Sequence, residues 1–196
     1  MGPPGPSGKD GGGLTYIRWG KRSCPSTSGT TLVYEGLTAG SHYTHTGGGS
    51  NYICMTKEPL YQPGTSTADQ SLSPVYGTEY EISIGQALNR GRTHDHNVPC
   101  AVCEVNNRSK QLMIPGTYIC PSGWTREYYG WLMSARYTHK SRTLFTCVDN
   151  YPDLVDETSA NTNGVVMYHV EADCSTGLPC APYDGRKELS CVVCTK

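Results

Sequence analysis

Ten cysteines in a repeated spacing constrain the fold of this 196-residue chain more than any other feature. Each half of the chain contains, in the same order, a Cys-Pro-Ser, a Tyr-Thr-His, a single cysteine and a Cys-x-x-Cys. The first copy contains Cys24, Cys54, Cys100 and Cys103, and the second contains Cys120, Cys147, Cys191 and Cys194, with Cys174 and Cys180 as an additional pair. This self-similarity predicts two tandem copies of one subdomain, residues 14–103 and 120–196, joined by a linker at 104–119.

Each Cys-x-x-Cys admits three interpretations: half of a zinc site, a redox dithiol, or the ends of two separate disulfides. In a strand, residues i and i+3 point to opposite faces, so Cys100 and Cys103 would reach different partners. Zinc needs four ligands, and His94-Asp95-His96 would complete them only in the first copy. A redox dithiol is expected near a helix N-terminus, and no long helical periodicity is evident. The pattern favours disulfide ends, with zinc and redox chemistry as alternatives.

Composition favours a secreted protein. Only 36% of the residues are hydrophobic, and 14 tyrosines accompany a single phenylalanine. Chains with so few core-forming residues commonly rely on disulfides, which persist in oxidising compartments. The sequon Asn107-Arg108-Ser109 makes Asn107 a candidate for N-glycosylation. We therefore expect an extracellular location.

Charge and hydropathy exclude several classes of function. The formal net charge is −1, so no basic field points to nucleic acid or to an anionic membrane surface. No apolar run approaches the roughly 18 residues of a transmembrane helix. We find no signal peptide after Met1 and expect a mature fragment. Neither nucleic acid nor a membrane is expected as a partner.

The first 13 residues resemble collagen. Glycine occupies every third position from Gly2 to Gly11, as a triple helix requires, and Gly11–Gly13 then form a flexible joint. After the joint, short segments rich in β-branched and aromatic residues alternate with Gly, Pro, Asn and Ser clusters. The sequence predicts a collagenous stub, residues 1–13, followed by an all-β body.

Longer stretches resemble known collagen domains. The segment PCAVCEV…QLMIPGTYICPSGW (99–124) resembles the junction between the two halves of the C-terminal non-collagenous domain of collagen IV, and LSCVVCTK resembles the end of that domain. Residues 14–196 are similar to the C-terminal domain of the spongin short-chain collagens of invertebrates, through YIRWG, GSHYTHTGGGSNYIC and the collagenous lead-in. The resemblance implies two disulfide-stapled β subdomains that form a homotrimer and set the register of a collagen arm in the extracellular matrix.

The resemblance also implies which cysteines pair. In each half of the collagen IV domain the Cys-Pro cysteine bonds the last cysteine of the Cys-x-x-Cys, the middle cysteine bonds the first, and a small loop closes on itself. Carried onto this sequence, the implied bonds are Cys24–Cys103, Cys54–Cys100, Cys120–Cys194, Cys147–Cys191 and Cys174–Cys180. The first half has no small-loop pair, which departs from the pattern.

Two groups of side chains are candidate binding sites. Aromatic rings and imidazoles that could bind a sugar cluster in the Tyr-Thr-His segments, at His42, Tyr43, His45, Tyr137 and His139. Because the motif occurs in both halves, we favour a role in packing, with the polar atoms satisfied internally. The loop 147–164 offers Asp149, Asp153 and Asp156 to a structural calcium ion, but its spacing is not that of an EF-hand, which favours a solvated loop.

Motifs of enzymes are missing from the sequence. It has no Gly-x-Ser-x-Gly, no His-Glu-x-x-His and no phosphate-binding glycine loop, so we expect neither catalysis nor an organic cofactor. We expect a collagen-capping domain that drives homotrimer assembly among matrix components. The alternative is a collagen-armed multivalent lectin that binds glycans, because trimerisation raises the avidity of weak sites.

Overall fold

The computed structural model describes residues 12–27, 29–65, 72–83, 85–88, 93–156 and 158–196. In these residues the chain forms ten β-strands and no helix, which confirms the all-β prediction. The strands are β1 (Gly13–Trp19), β2 (Thr30–Gly40), β3 (Ile53–Thr56), β4 (Tyr76–Tyr80), β5 (Pro99–Asn106), β6 (Gln111–Pro115), β7 (Thr125–Ser134), β8 (Thr146–Asp149), β9 (Val165–His169) and β10 (Ser190–Thr195). Residues 1–11 of the predicted collagenous stub lie outside the described residues.

The two halves use the same strand pairings. In the first half β5 lies between β1 and β2, and β3 and β4 pair with the end of β2. In the second half β10 lies between β6 and β7, and β8 and β9 pair with the end of β7. The repeat in the sequence thus coincides with a repeated pattern of strand pairing.

Two parallel pairings join the halves into one sheet. Strand β1 meets β8 at Trp19 and Val148. Strand β4 runs beside β9 from Thr78, opposite Val165, to Tyr80. Pairings therefore run in a closed ring through β7, β8, β1, β5, β2, β4 and β9, and the two halves are one continuous structure.

Five disulfides fasten this sheet, and all ten cysteines are bonded. The pairs are Cys24–Cys103, Cys54–Cys100, Cys120–Cys194, Cys147–Cys191 and Cys174–Cys180, the same five that the resemblance implies. Cys100 and Cys103 are fully buried on β5 and bond partners from different segments. The Cys-x-x-Cys pairs therefore do not serve as a zinc clamp or a dithiol here, because no thiol is free.

Tyrosines fill much of the core, which explains how a chain with one phenylalanine can fold. One cluster of buried side chains includes Tyr16 and Tyr128, and a second includes Tyr52 and Tyr80. The hydroxyl of Tyr128 donates to the carbonyl of Cys147 at 3.0 Å, and that of Tyr52 donates to Thr143 Oγ1 at 3.0 Å. Burial raises the pKa of both phenols well above the usual range. Each ring thus supplies apolar area while its hydroxyl has a partner.

Candidate functional site at the junction of the two halves

The two Tyr-Thr-His segments lie side by side, although 94 positions separate them. One follows β2 and the other follows β7, its equivalent in the repeat. The amide of Ser141 donates to the carbonyl of Tyr43 at 3.1 Å. The Tyr43 ring and the His139 imidazole have centroids 4.9 Å apart. The repeated motif therefore meets its own copy at the junction of the halves.

Six rings form a continuous row across this junction. We call this set the aromatic row: His45, Tyr76, His42, Tyr43, His139 and Tyr168. The centroid of His42 lies 4.8 Å from Tyr43, 5.1 Å from His45 and 4.9 Å from Tyr76. His139 lies 5.5 Å from Tyr168. These separations fit edge-to-face and tilted packing, so much of the row is held by contacts between rings.

Four of the five residues predicted from the Tyr-Thr-His segments belong to the aromatic row. The fifth, Tyr137, is 92% exposed and projects from the loop. Tyr76 and Tyr168 were not predicted, because they lie on β4 and β9, far from either motif in sequence. No pattern in the sequence connects them to it. A binding role for these residues stays a prediction.

The surroundings of His139 in the aromatic row shift the pKa of its imidazole. Burial and the nearby Arg136 guanidinium lower the pKa of its imidazole. Its Nδ1 is buried and has no hydrogen-bond partner among the described residues. The fold therefore favours the neutral imidazole at this position.

A wide cleft of about 1570 Å³ opens beside the second half of the row. His139, Tyr168 and the exposed Tyr137 contribute to its wall. Four cationic side chains line it, namely Arg136, Lys140, Arg142 and Arg186, against two carboxylates, Glu171 and Asp173. Such a surface suits a polar ligand with negative charge, because guanidinium groups hydrogen-bond anionic oxygens well.

The three carboxylates named as calcium candidates each lie beside a basic side chain. Asp149 is buried and its Oδ2 lies 2.7 Å from the guanidinium of Arg18. Asp153 lies 2.8 Å from Lys21 Nζ.

The third carboxylate, Asp156, lies 3.4 Å from the guanidinium of Arg22. Three basic residues from the end of β1 and the segment after it therefore meet the acidic loop. These ion pairs link the two halves of the chain, and a calcium site in this loop stays a prediction.

The candidate glycosylation site lies on the surface. Asn107 is exposed, with a left-handed backbone (φ 65°), in the turn between β5 and β6. The amide of Ser109 donates to the carbonyl of Lys196 at 2.9 Å, so the sequon lies beside the last residue of the sequence. Its position is compatible with a glycan on Asn107.

No protein-family model matches this sequence. In the described part of the chain no helix is long and apolar enough to span a bilayer. The five disulfides agree with an oxidising, extracellular environment.

Proposed function

We propose that this chain is the trimerising cap of a short-chain collagen in the extracellular matrix, as its sequence resemblance implies. The observation that carries the proposal is a pairing between strands that occurs once in the chain, although the internal repeat offers strands for it twice. It concerns β3 in the first half and β6 in the second.

The repeat makes β6 the equivalent of β1, and β3 the equivalent of β8. Within the chain β1 pairs with β8, where Trp19 lies opposite Val148. Pro115 on β6 corresponds to Trp19, because the two lie opposite the equivalent cysteines Cys191 and Cys100. Met55 on β3 corresponds to Val148, because each follows an equivalent cysteine. Yet among the described residues β6 pairs only with β10, and β3 only with β2. The β6–β3 pairing that would be equivalent to the β1–β8 pairing is therefore not formed within the described chain, and one edge of each strand is available to another copy.

Exposed apolar side chains surround both open edges. Ile53 and Met55 on β3 are 39% and 40% exposed, and Leu112 on β6 is 40% exposed. On the neighbouring β2, Leu32 and Val33 are about half exposed. An apolar strand edge that is left unpaired in a monomer is a site for association with another chain.

The two edges lie on different parts of the chain, so one copy would offer β3 to the β6 of the next copy. Such a head-to-tail contact generates a ring when the rotation between copies closes. Three copies would give a ring of six equivalent halves, with in-chain β1–β8 contacts alternating with β6–β3 contacts between chains. A homotrimer is the assembly that a collagen triple helix requires.

The first described residues, Gly12 and Gly13, lie near the start of β6. Gly13 pairs with Asn106 at the end of β5. A Cβ on Gly12 would lie 3.2 Å from the Cβ of Ser109, three residues after Asn106 in the turn to β6. The body therefore begins beside one of the proposed contact strands, so in a trimer the three attachment points for collagenous arms would be equivalent.

Light scattering coupled to size exclusion tests the assembly. We expect the wild-type chain to have three times the monomer mass. Met55→Lys should give a monomer, because it places a charge on the β3 edge. Leu178→Lys is the matched control, since Leu178 is 42% exposed but lies in the small disulfide loop. A wild-type monomer at micromolar concentration, or a trimer of the Met55→Lys variant, would contradict the proposal.

A multivalent glycan-binding module is the second candidate, and the cationic cleft favours it. The cleft side chains would contact an acidic sugar, and trimerisation would add avidity. A glycan array containing sulfated and sialylated sugars tests this, with Arg136→Ala/Arg142→Ala as the loss variant. Binding to neutral sugars only, or binding that survives the double substitution, would exclude this use of the cleft.

A further inference from the structure

Glu81, His94 and Asp95 place three metal-binding groups together at the end of β4. One ligand atom from each side chain lies within 4.8 Å of the others. His94 Nδ1 is 3.8 Å from Glu81 Oε2, and His94 Nε2 is 3.5 Å from Asp95 Oδ1. The imidazole therefore lies between two carboxylates.

The backbone around this cluster is tied to the central strands. The amide of Asp95 donates to the carbonyl of Tyr80 at 2.9 Å, and the amide of Tyr80 donates to the carbonyl of His96 at 3.0 Å. The amide of Glu81 donates to Met167 on β9 at 2.9 Å. Asp95 has a left-handed backbone (φ 64°), a conformation that aspartate adopts more readily than most residues. The three groups thus start from a fixed scaffold.

Two carboxylate oxygens in the cluster lack donors. Glu81 Oε1 and Asp95 Oδ1 are both buried, and neither has a hydrogen-bond partner among the described residues. The side chains of Glu81 and Asp95 are only 12% and 20% exposed, whereas that of His94 is 48% exposed. Buried carboxylate oxygens without donors are costly unless a cation compensates them.

A hydroxyl outside the cluster orients one of the carboxylates. Tyr168 on β9 forms a side-chain hydrogen bond with Glu81. The same tyrosine packs against His139 in the aromatic row and contributes to the cleft. Metal ligands are commonly held in place by such outer hydrogen bonds. The cluster therefore connects to the junction between the two halves.

We infer that Glu81, His94 and Asp95 form a zinc-binding site beside the cleft. Two carboxylates and one imidazole suit Zn²⁺ better than Ca²⁺, which takes six to eight oxygen ligands in most sites. Zinc bonds of about 2.0–2.2 Å require the ligand atoms to approach one another by roughly 1 Å. The exposed His94 ring has room to make that movement. Three protein ligands leave a fourth position open to water or to an anionic group of a ligand in the cleft.

Zinc titration of the untagged, folded chain tests the site, with metal content after dialysis as a second readout. We expect one zinc per chain and a higher melting temperature in zinc than in chelator. Glu81→Gln and His94→Ala should each weaken zinc binding at least tenfold. His96→Ala is the matched control, because His96 lies in the same turn but directs its Nδ1 to the carbonyl of His94.

The alternative is that His94 acts only as a counter-ion to the two carboxylates. In that case His94→Ala lowers the melting temperature of the zinc-free chain, while zinc has no effect on the wild type. That result would contradict the zinc site. Equal loss of zinc binding in the His96→Ala and His94→Ala variants would contradict it as well. The inference does not depend on the proposed trimer, because zinc stoichiometry is measured per chain.

Discussion

The guanidinium of Arg108 lies 3.0 Å from a carboxylate oxygen of Glu127, whose side chain is completely buried. The hydroxyls of Tyr16, Thr30 and Thr195 donate to the same carboxylate. These donors come from β1, β2 and β10, and Arg108 comes from the turn between β5 and β6. One buried charge on β7 therefore ties both ends of the described chain to its centre.

Removing Arg108 should destabilise the fold strongly. Arg108→Ala leaves the Glu127 carboxylate buried without its cation, so we expect the free energy of unfolding to fall by about 3 kcal/mol or more. Urea unfolding under non-reducing conditions measures this. The sequon remains intact in this variant, because its middle position accepts alanine.

The control for that prediction is an exposed ion pair. Lys57 and Glu35 are paired at the surface, with side chains about 40% exposed. Lys57→Ala should change the free energy of unfolding by less than about 1 kcal/mol. If Arg108→Ala and Lys57→Ala lowered the free energy of unfolding equally, the burial of Glu127 would not be the reason that its ion pair stabilises the fold.

Two glycines at equivalent positions of the repeat should not tolerate a side chain. A Cβ on Gly130 would lie 1.7 Å from the carbonyl oxygen of Val148, and one on Gly36 would lie 2.2 Å from that of Met55. Gly130→Ala should therefore cost about 3 kcal/mol or more, because backbone must move. Gly47→Ala is the control, since a Cβ there meets nothing within 4 Å. Thermal unfolding followed by circular dichroism gives the melting temperature of each variant. Equal melting temperatures for Gly130→Ala and Gly47→Ala would contradict the prediction.

The stability of the chain should fall in mild acid. Burial lowers the pKa of His169, which packs against Trp131, and the Glu188 carboxylate opposes this only in part. The unfolded chain then takes up a proton first, near the ordinary histidine pKa of about 6.5. The free energy of unfolding should be constant above that pH and decline as the pH falls toward the lower folded-state pKa. The lowered pKa of His139 acts in the same direction.

Replacing the buried imidazole tests the origin of this decline. His169→Phe keeps a ring of similar size and removes the titrating group, so the pH dependence between about 5.5 and 7 should become shallower. Unfolding midpoints in urea across that range provide the measurement. An unchanged slope would assign the effect to other groups.

The disulfides should differ in their effect on stability according to the loop that each closes. Cys54 and Cys100 are 46 positions apart, whereas Cys174 and Cys180 are 6 apart. By the chain-entropy relation, loss of the long bridge costs about 4 kcal/mol and loss of the short one about 2 kcal/mol. The paired serine variants, compared by urea unfolding, test this ranking. A larger loss from Cys174→Ser/Cys180→Ser would reverse it.

Local patterns in the sequence were sufficient for the all-β class and for the repeated cysteine spacing. Short segments rich in β-branched and aromatic residues, separated by Gly, Pro, Asn and Ser clusters, predicted the all-β class. The separation of Cys100 from Cys103 indicated two different partners. The pairing itself came from the resemblance to collagen IV. The tyrosine-rich composition also indicated that disulfides would supplement a core poor in phenylalanine.

Contacts between segments that are distant in the sequence could not be predicted from local patterns. The sequence of the acidic loop does not reveal that Arg18, Lys21 and Arg22 lie opposite it. Glu81 carried no signal, since it joins His94 and Asp95 only through a left-handed turn and hydrogen bonds to β4.

The sequence by itself determined the class of the fold, the twofold repeat and the cysteine framework, because these depend on residue type and spacing within a segment. Only the tertiary structure decided that the two Tyr-Thr-His segments touch, that β1 pairs with β8 while β3 and β6 have no such pairing among the described residues, and that a histidine lies between two partly buried carboxylates. Those relationships depend on which strands from the two halves become neighbours. That choice is made by packing and hydrogen bonding over the whole chain, and no local spacing encodes it.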